Sequence, residues 1–259
     1  MNEAIELTWV RLSWALGLMV IAVGLSAWQQ LGLEMKLGIA TLRTILQLLL
    51  VGYFLALVFT NQNPWFVLGI VLIMVSIAAV VARNRISRKV PYILPLTGGV
   101  LLFTITFTLT YVNLLVVRPE PWFNPQYLIP LAGILLGNGM SAAAIAGERL
   151  VNRLTNSQVE IETHLSLGAS PRQATRGYRI EAMQAGLIPI LNAMTVVGIV
   201  KLPGIITGQL ISGEDPLNAA LYQMLILFML AFTDLLSTLL ITQGIYNQFF
   251  NSAEQLVRH

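Results

Sequence analysis

Long apolar stretches, each about as long as a membrane-spanning helix, follow one another along the whole chain. A spanning helix requires about 20 predominantly apolar residues, and short polar connections separate the stretches that meet this requirement. Proline stands near the start of several, where the first turn of a helix tolerates it. Seven spans are therefore predicted, at about Ile5–Trp28, Leu37–Thr60, Pro64–Ala82, Ile93–Val117, Tyr127–Ala146, Ala182–Val200 and Leu217–Ile245.

The sixth apolar stretch differs from the others because helix-breaking residues interrupt it. Between residues 182 and 212 only Lys201 is charged, yet Pro189, Pro203 and two glycines break the run. Two interpretations stay open: a simple helix followed by a loop, or a broken or re-entrant helix that faces a cavity. Freed backbone groups at membrane depth persist only where protein or water satisfies them.

The composition agrees with a chain built for a bilayer. Charged residues make up 10% of the sequence and apolar residues 56%, with a mean hydropathy of +0.74, whereas a soluble domain carries about 25% charged residues. The absence of cysteine excludes disulfides and thiolate metal sites, and a scattered net charge of +3 does not suggest a nucleic-acid partner. We therefore expect an all-α integral membrane protein in which residues 1–259 form one transmembrane domain.

The basic residues predict how the spans are oriented. With seven spans, nearly all of them fall on one side, which the positive-inside rule assigns to the cytoplasm. The N-terminus is then predicted outside and the C-terminus inside. Residues on the basic side are Lys36, Arg83, Arg85, Arg88, Lys89, Arg149, Arg153, Arg172, Arg176, Arg179 and Arg258, against Arg118 and Lys201 on the other.

One cytoplasmic connection, at about residues 148–181, is much longer than the rest, and a connection of that length usually has structure or function. Apolar and charged side chains mix between residues 159 and 167, which predicts a short amphipathic helix. Gly168 is expected to end that helix. Ser170 and Pro171 then begin a second helix, about Pro171–Gln184, that leads into the sixth span.

This connection carries the first part of a family resemblance. Glu162 and Gly168 have the E-x5-G spacing of the cytoplasmic loop in ABC importer permeases, although Thr163 and His164 replace the usual two alanines. Three further segments, in this order and spacing, make the chain similar to the FetB-type permease family. Bacterial members of that family are iron-export subunits, and related plant proteins act in aluminium tolerance. The segments are RTILQL (43–48), PLAGILLGNGM (130–140) and LPGIITGQ (202–209), the last of which continues through Gly213, Asp215-Pro216 and Tyr222-Gln223.

The resemblance implies a homodimeric ABC permease in the inner (plasma) membrane that works with a separate ATPase and exports an iron-like metal. No enzyme activity or bound cofactor is then expected in this chain, and ATP–Mg belongs to the ATPase. The residues agree, because no Gly-Lys pair exists and a Walker A motif is therefore impossible. The ATPase-coupling loop implied by the family comprises Glu160, Glu162, His164, Leu165 and Gly168.

A few polar residues interrupt the predicted spans. A charge such as Arg43 costs roughly 2.5–3.5 kcal/mol at the centre of a spanning helix. Arg43 either lines a translocation path with Gln47, which follows at i+4, or extends to the headgroups. Asp234 lies deep in the last span and shares a face with Ser237. It is expected either to pair with Arg43 or to bind a cation.

Asn138 and Gln209 complete the predicted path, as oxygen donors that a hard cation would need beside Asp234 or Glu181. The metal ligands themselves stay unassigned, since His164 is predicted to be cytoplasmic. Two G-x-x-x-G pairs in apolar stretches predict close helix packing. They are Gly133 with Gly137 and Gly204 with Gly208.

Two other classes of function compete with the permease. An ion-driven secondary transporter would use Asp234 as its coupling site and would work in vesicles without nucleotide. An intramembrane serine protease would need a histidine base at membrane depth, and no predicted span contains histidine.

Overall fold

The computed structural model describes residues 9–60, 63–87, 90–251 and 253–257, and this part of the chain is helical throughout, with isolated β-bridges but no strand. The predicted all-α class is confirmed. The first residues of span one, and Arg88, Lys89 and Arg258, lie outside the described ranges. The helices are α1 Trp9–Trp28, α2 Glu34–Phe59, α3 Pro64–Ile86, α4 Ile93–Tyr111 with a π-helical continuation Val112–Val117, α5 Pro125–Asn156, α6 Gln158–Ser166, α7 Pro171–Ala174, α8 Arg176–Val196, α9 Gly204–Ile211 and α10 Pro216–Phe249.

Within the described ranges, five helical segments are long and apolar enough to cross a membrane: α2, α3, α4 with its continuation, α5 and α10. Helix α1 contributes a shorter apolar segment, Leu12–Trp28. Helix α8 covers the sixth predicted span but begins with Arg176, Arg179 and Glu181. Its apolar part, residues 182–196, is about 22 Å long at 1.5 Å per residue, which is short of the bilayer core. The count of seven spans and the orientation stay predictions.

The chain divides into two compact units. The first consists of α1 and α2 with residues 211–213, and the second contains the other helices. In the first unit, the Ser26 hydroxyl donates to Glu34 Oε1 (3.0 Å) and accepts from the Leu33 N–H (3.3 Å). These bonds fix the turn between α1 and α2. That one transmembrane domain covers the whole chain stays a prediction.

Helix α5 is the centre of the second unit and contacts α3, α4, α8 and α10. A run of small residues between Ala142 and Gly147 lets those neighbours approach its backbone. Near the end of α5 the packing changes to large apolar side chains, where Leu150 and Leu154 meet Ile245 and Phe249 of α10. The unit therefore has a closely packed middle and a broader apolar base.

Two glycines set how closely the central helices approach. A Cβ atom on Gly186 of α8 would lie 2.6 Å from Thr238 Cγ2 and 2.8 Å from the backbone carbonyl oxygen of Ala142. A Cβ atom on Gly139 of α5 would lie 3.0 Å from Thr233 Cγ2. The close crossing of α5, α8 and α10 therefore requires glycine at these two positions.

The glycines at the closest helix contacts described above, Gly139 and Gly186, are not those of the predicted G-x-x-x-G pairs. A Cβ atom on Gly133 would lie 3.3 Å from Met74 Cε of α3, whereas at Gly137, Gly204 and Gly208 it would meet open space within 4 Å. The pair spacing places both glycines on one helix face but does not say which helix covers that face. Within the described chain only Gly133 packs as expected, and contact with a second copy stays a prediction.

A cluster of three charged residues joins the ends of α5 and α8. Arg149 and Arg153 lie one turn apart on α5, and both bind Glu181 of α8. Each arginine Nε donates to one Glu181 carboxylate oxygen at 3.0 Å. The hydrogen bond from Arg153, followed by that from Arg149, lowers the pKa of Glu181 below the usual value of 4.5. We call this cluster the arginine clamp; it pairs the Glu181 carboxylate with two guanidinium groups.

Gly186→Ala should destabilise the protein by about 1–3 kcal/mol, because its methyl group would press against the Ala142 carbonyl and force α8 away from α5. Gly177→Ala, in the first turn of the same helix, meets open space and should be neutral or stabilising, since alanine favours helix. Unfolding of both variants in detergent, followed by circular dichroism, tests this. Equal stability of the two would contradict the packing described.

The arginine clamp should make the order of α6 depend on pH. Because the pKa of Glu181 is lowered in the folded state, the clamp contributes fully above the usual carboxyl pKa and is lost as the pH falls below it. Glu181→Gln should therefore increase hydrogen exchange of the α6 amides at neutral pH, as acidification does in the wild type. Exchange that is unchanged in both cases would show that the clamp does not hold this segment.

Candidate functional site

The long connection between α5 and α8 folds as two short helices. Helix α6 ends at Ser166, and Gly168 just beyond it adopts the left-handed conformation (φ +88°) that glycine allows. A capping box then starts α7, as the Gln173 side chain accepts from the Ser170 N–H (2.8 Å) and the Ser170 hydroxyl accepts from the Gln173 N–H (3.4 Å). The predicted helix, glycine break and second helix start are confirmed.

The second helix is shorter than predicted. It breaks at Thr175, whose hydroxyl donates to the Pro171 carbonyl (2.7 Å) and whose backbone leaves the helical region (φ −107°, ψ 2°). Helix α8 therefore starts anew at Arg176. A threonine hydroxyl that bonds to the preceding turn often bends a helix, and here this bond coincides with the break.

Side chains of α6 anchor it to the base of the second unit. Ile161 is fully buried among Leu150 and Leu154, and Leu165 is partly buried against the same cluster. Tyr178 of α8 interacts with Glu160, and burial of this tyrosine raises its pKa. Of the predicted coupling residues, Leu165 and Glu160 thus also attach α6 to the rest of the protein.

The outer side of the same segment is exposed and partly apolar. Val159 is 79% exposed and Leu167 is 80% exposed, beside the exposed predicted residues Glu162, His164 and Gly168. The segment thus presents two exposed apolar side chains, Val159 on α6 and Leu167 just after it, while Ile161 anchors it to the second unit. We call the five exposed residues the coupling face.

Asp234 of α10 lies in the interior of the second unit. It is 3% exposed, and its Oδ1 has no hydrogen-bond partner within the described ranges. Ser237 Oγ and Thr104 Oγ1 of α4 are also buried without a partner there. The Thr108 and Thr233 hydroxyls lie 3.3 Å apart and fix α4 against α10.

This contact brings the unpaired oxygens to one level of the bundle. Helices α4 and α10 run antiparallel, since Leu96 meets Gly244 while Thr108 meets Thr233. Thr104 lies one turn before Thr108 on α4, and Ser237 lies one turn after Thr233 on α10. Because the two helices are antiparallel, Thr104 and Ser237 come to the same level along the bundle. Asp234 follows Thr233 directly in the sequence. The result is a group of buried, unpaired oxygen atoms at one level of α4 and α10.

Arg43 and Gln47 occupy a different setting. They lie one turn apart on α2 of the first unit, as the spacing predicts, and both side chains are exposed. The pairing of Arg43 with Asp234 stays a prediction. The same holds for the prediction that Arg43 and Gln47 line the translocation path.

A cavity of about 490 Å³ opens between α5, α8, α9 and α10 and contains Asn138. Asn138 donates to the Ile134 carbonyl in its own helix (2.9 Å). A smaller cavity of about 190 Å³, on the other side of Ile205, contains Gln209. The Oε1 atom of Gln209 is buried without a partner in the described part of the chain. Two of the predicted path residues thus lie at neighbouring cavities.

Gln223 belongs to the segment that carries the family resemblance but was not predicted as a path residue; it lines the larger cavity and is 5% exposed. Gln223, Leu227, Leu230 and Asp234 follow one another at i, i+4, i+7 and i+11, so they form one stripe along α10. The first three line the cavity, and Asp234 continues the stripe inward. The sequence signal that could have identified Gln223 is its spacing from Asp234, which places both polar residues on one face of α10.

The geometry around α9 agrees with a broken helix and not with a simple helix and loop. Helix α8 ends at Val196, and Gly198 turns the chain with φ +78° while its N–H donates to the Lys201 carbonyl (3.0 Å). Helix α9 has eight residues and is about 12 Å long, too short to cross a bilayer. The break forms part of the cavity wall.

Residue clustering gives no indication of a resident metal centre. In the parts of the chain that the structure describes, no group of three or more His, Cys, Asp or Glu side chains could hold a metal ion. The buried oxygen atoms around Asp234 come instead from one carboxylate and several hydroxyls.

Comparison with known proteins gives related sequences over nearly the full length. A UPF0014 membrane protein of Synechocystis is 48% identical over 99% of both chains. The Escherichia coli protein named "Probable iron export permease protein FetB" is 34% identical, covering 95% of this chain and 93% of its own. "Protein ALUMINUM SENSITIVE 3" of Arabidopsis thaliana is also 34% identical, over 95% of this chain and 88% of that protein.

No solved structure matches the chain. The family model described as "Uncharacterised protein family (UPF0014)" matches residues 9–250, which include every helix that bears on the coupling face and the cavities. Relatives above 30% identity that this chain covers almost completely agree with that match. The chain therefore belongs to the UPF0014 family of membrane proteins.

Proposed function

We propose that this chain is the membrane-spanning permease subunit of an ABC transporter, which exports an iron-like metal with the help of a separate ATPase. The observation that carries the proposal is the coupling face: exposed apolar residues on a short helix that is anchored on its other side. The name of the Escherichia coli relative supports the metal and the direction.

The attachments of α6 suit it to transmit motion. Ile161 is buried in the base of the unit, and the arginine clamp joins the two helices that lead away from the segment, α5 and α8. Both helices also line the larger cavity, through Asn138 and Pro189. A displacement of α6 by an ATPase would thus act on two cavity walls, about 27 Å away along α5 and about 20 Å away along α8, at 1.5 Å per helical residue.

The proposed topology follows the basic residues. Seven spans would put the coupling face in the cytoplasm, where ATP is available, and the turn between α8 and α9 on the outer side. The membrane is then the inner (plasma) membrane. Neither the coupling face nor the cavity residues supply a nucleotide site or a catalytic group, so ATP hydrolysis would belong to the partner.

The proposed path runs along the inner stripe of α10. It begins at the cavity with Gln223, Asn138 and the neighbouring Gln209, and continues to Asp234 with its hydroxyl neighbours. A homodimer would complete the enclosure, with Arg43 and Gln47 of α2 as further polar groups.

An ion-driven secondary transporter is the second candidate, and the state of Asp234 favours it. A buried carboxyl group without a hydrogen-bond partner for Oδ1 is costly as an anion, and either a proton or a cation would relieve that cost. The two candidates differ in their energy source, which transport assays measure directly.

Leu167→Glu should weaken assembly with the ATPase by at least about tenfold in affinity, because a charge in the apolar centre of an interface costs about 2 kcal/mol or more. The chain itself should fold normally, since Leu167 is exposed. Co-purification and stimulated ATP hydrolysis are the measurements.

Asn152→Glu is the matched control, since it adds the same charge at an exposed position of α5 outside the coupling face. It should leave assembly intact. If Leu167→Glu also assembled and stimulated hydrolysis normally, the coupling face would not be the docking surface.

Asp234→Asn should reduce metal transport into inverted vesicles roughly tenfold or more, because the variant removes the buried carboxylate while preserving its shape. Glu214→Gln, an exposed acid at the start of the α9–α10 turn, serves as control and should transport normally. Transport that persists without ATP and responds to a pH gradient would replace the ABC proposal with the ion-driven one.

A further inference from the structure

Helices α8 and α10 pack antiparallel to each other. The Arg179 side chain of α8 donates from Nη2 to Gln243 Oε1 (2.7 Å), and two turns further along α8 the backbone of Gly186 meets Thr238. The contact position therefore moves back along α10 as it advances along α8. Each further turn of α8 faces the preceding turn of α10, and this register determines what lies opposite Asp234.

Ile190 of α8 lies at the level of Asp234. It follows Gly186 by one turn on the same helix face, and Asp234 precedes Thr238 by one turn on α10. Ile190 is 4% exposed and lines the larger cavity, as does Leu230, one turn before Asp234. The wall of this cavity does not include Asp234 itself. Two apolar side chains thus mark the boundary between the cavity and the buried carboxyl group.

The surroundings of Asp234 indicate that this boundary has to open. Its carboxyl group is 3% exposed, and Oδ1 has no hydrogen-bond partner within the described ranges. The helices packed against α10 carry no charged residue over positions 93–111, 125–147 and 182–196. A carboxylate without a nearby charge or donor is costly, so its partner has to come from outside these helices.

Pro189 gives α8 a point of flexure next to Ile190. It lies inside the helix, where proline cannot donate a hydrogen bond to the Ala185 carbonyl, and helices bend at such positions. Before this point, α8 is fixed by the arginine clamp and by the crossing at Gly186. Beyond Ile190, none of residues 191–196 is buried in the described chain. The outer end of α8 can therefore move with little loss of packing.

We propose that Ile190 and Leu230 form an apolar gate between the larger cavity and Asp234, and that the gate opens when the outer end of α8 bends at Pro189. In its closed form the gate keeps water and ions from the carboxyl group, because a constriction lined by apolar side chains excludes water. In its open form the cavity extends to Asp234. This inference rests on the proposed path along α10, but not on how transport is powered.

The test places one cysteine behind the gate, in the full-length protein in phosphatidylcholine nanodiscs without ATPase or nucleotide. Asp234→Cys reacts with a small, positively charged methanethiosulfonate in water, and mass spectrometry follows the modification. We expect slow modification with the gate intact. Ile190→Ala or Leu230→Ala should accelerate it roughly tenfold or more, because each removes apolar volume from the gate. Pro189→Ala should slow it, since alanine restores the helical hydrogen bond.

Two reporters and one substitution serve as controls. Asn138→Cys, in the cavity wall, should react rapidly in every background. Ile226→Ala removes a side chain of the same cavity that is 5% exposed and lies about 12 Å from Asp234 along α10, and it should leave the rate at Asp234→Cys unchanged. Ser237→Cys, one turn further along α10 and also buried, reports on the gate in the same way if Asp234→Cys fails to fold.

Unchanged modification in both Ile190→Ala and Leu230→Ala would overturn the proposal, and so would equal acceleration by Ile226→Ala, which would indicate general loosening. Slow reaction of Asn138→Cys would show that water does not reach the cavity and would contradict the gate as well. An unchanged rate in Pro189→Ala would contradict the bend. Because no ATPase is present, failure of the gate leaves the proposed permease function standing, and failure of ATPase assembly leaves the gate standing.

Discussion

The approach of α8 and α10 to the backbone of α5 is the constraint on which the second unit depends. At Gly186 a single methyl group would come within 2.8 Å of the Ala142 carbonyl oxygen, so the crossing tolerates no side chain. Interhelical packing of this kind is the main source of cohesion in lipid, where burial from water contributes little between helices. The position of the cavity, of Asp234 and of α6 all follow from this crossing.

The same crossing joins two surfaces that lie far apart. At the base, Ile161 packs α6 into the apolar cluster, and the arginine clamp joins α5 to α8. At the other end, α5 and α8 separate around the break before α9 and leave the larger cavity. Because packed helices tend to shift as units, we expect a movement at the base to reach the cavity. This mechanical link, and not any single side chain, makes the proposed coupling physically reasonable.

Local sequence signals predicted local structure well. The break at Gly168 and the start at Ser170 depend on a few adjacent residues, and both were predicted correctly. Packing roles were predicted poorly, since the contacts of Gly139 and Gly186 depend on which residues of α10 face them. The G-x-x-x-G spacing carries no such information. Gln223 was not assigned to the path for a related reason, as its burial depends on a cavity formed by four helices.

The central claim is that the coupling face contacts an ATPase in the cytoplasm. Because the chain contains no cysteine, single cysteines can be introduced without background and crosslinked to a co-expressed ATPase subunit. Leu167→Cys lies on the coupling face. Leu217→Cys is also exposed, but it lies at the start of α10, whereas the end of α10 packs near α6. The account predicts a crosslinked heterodimer from Leu167→Cys alone. No crosslink from Leu167→Cys, or an equal yield from Leu217→Cys, would contradict it.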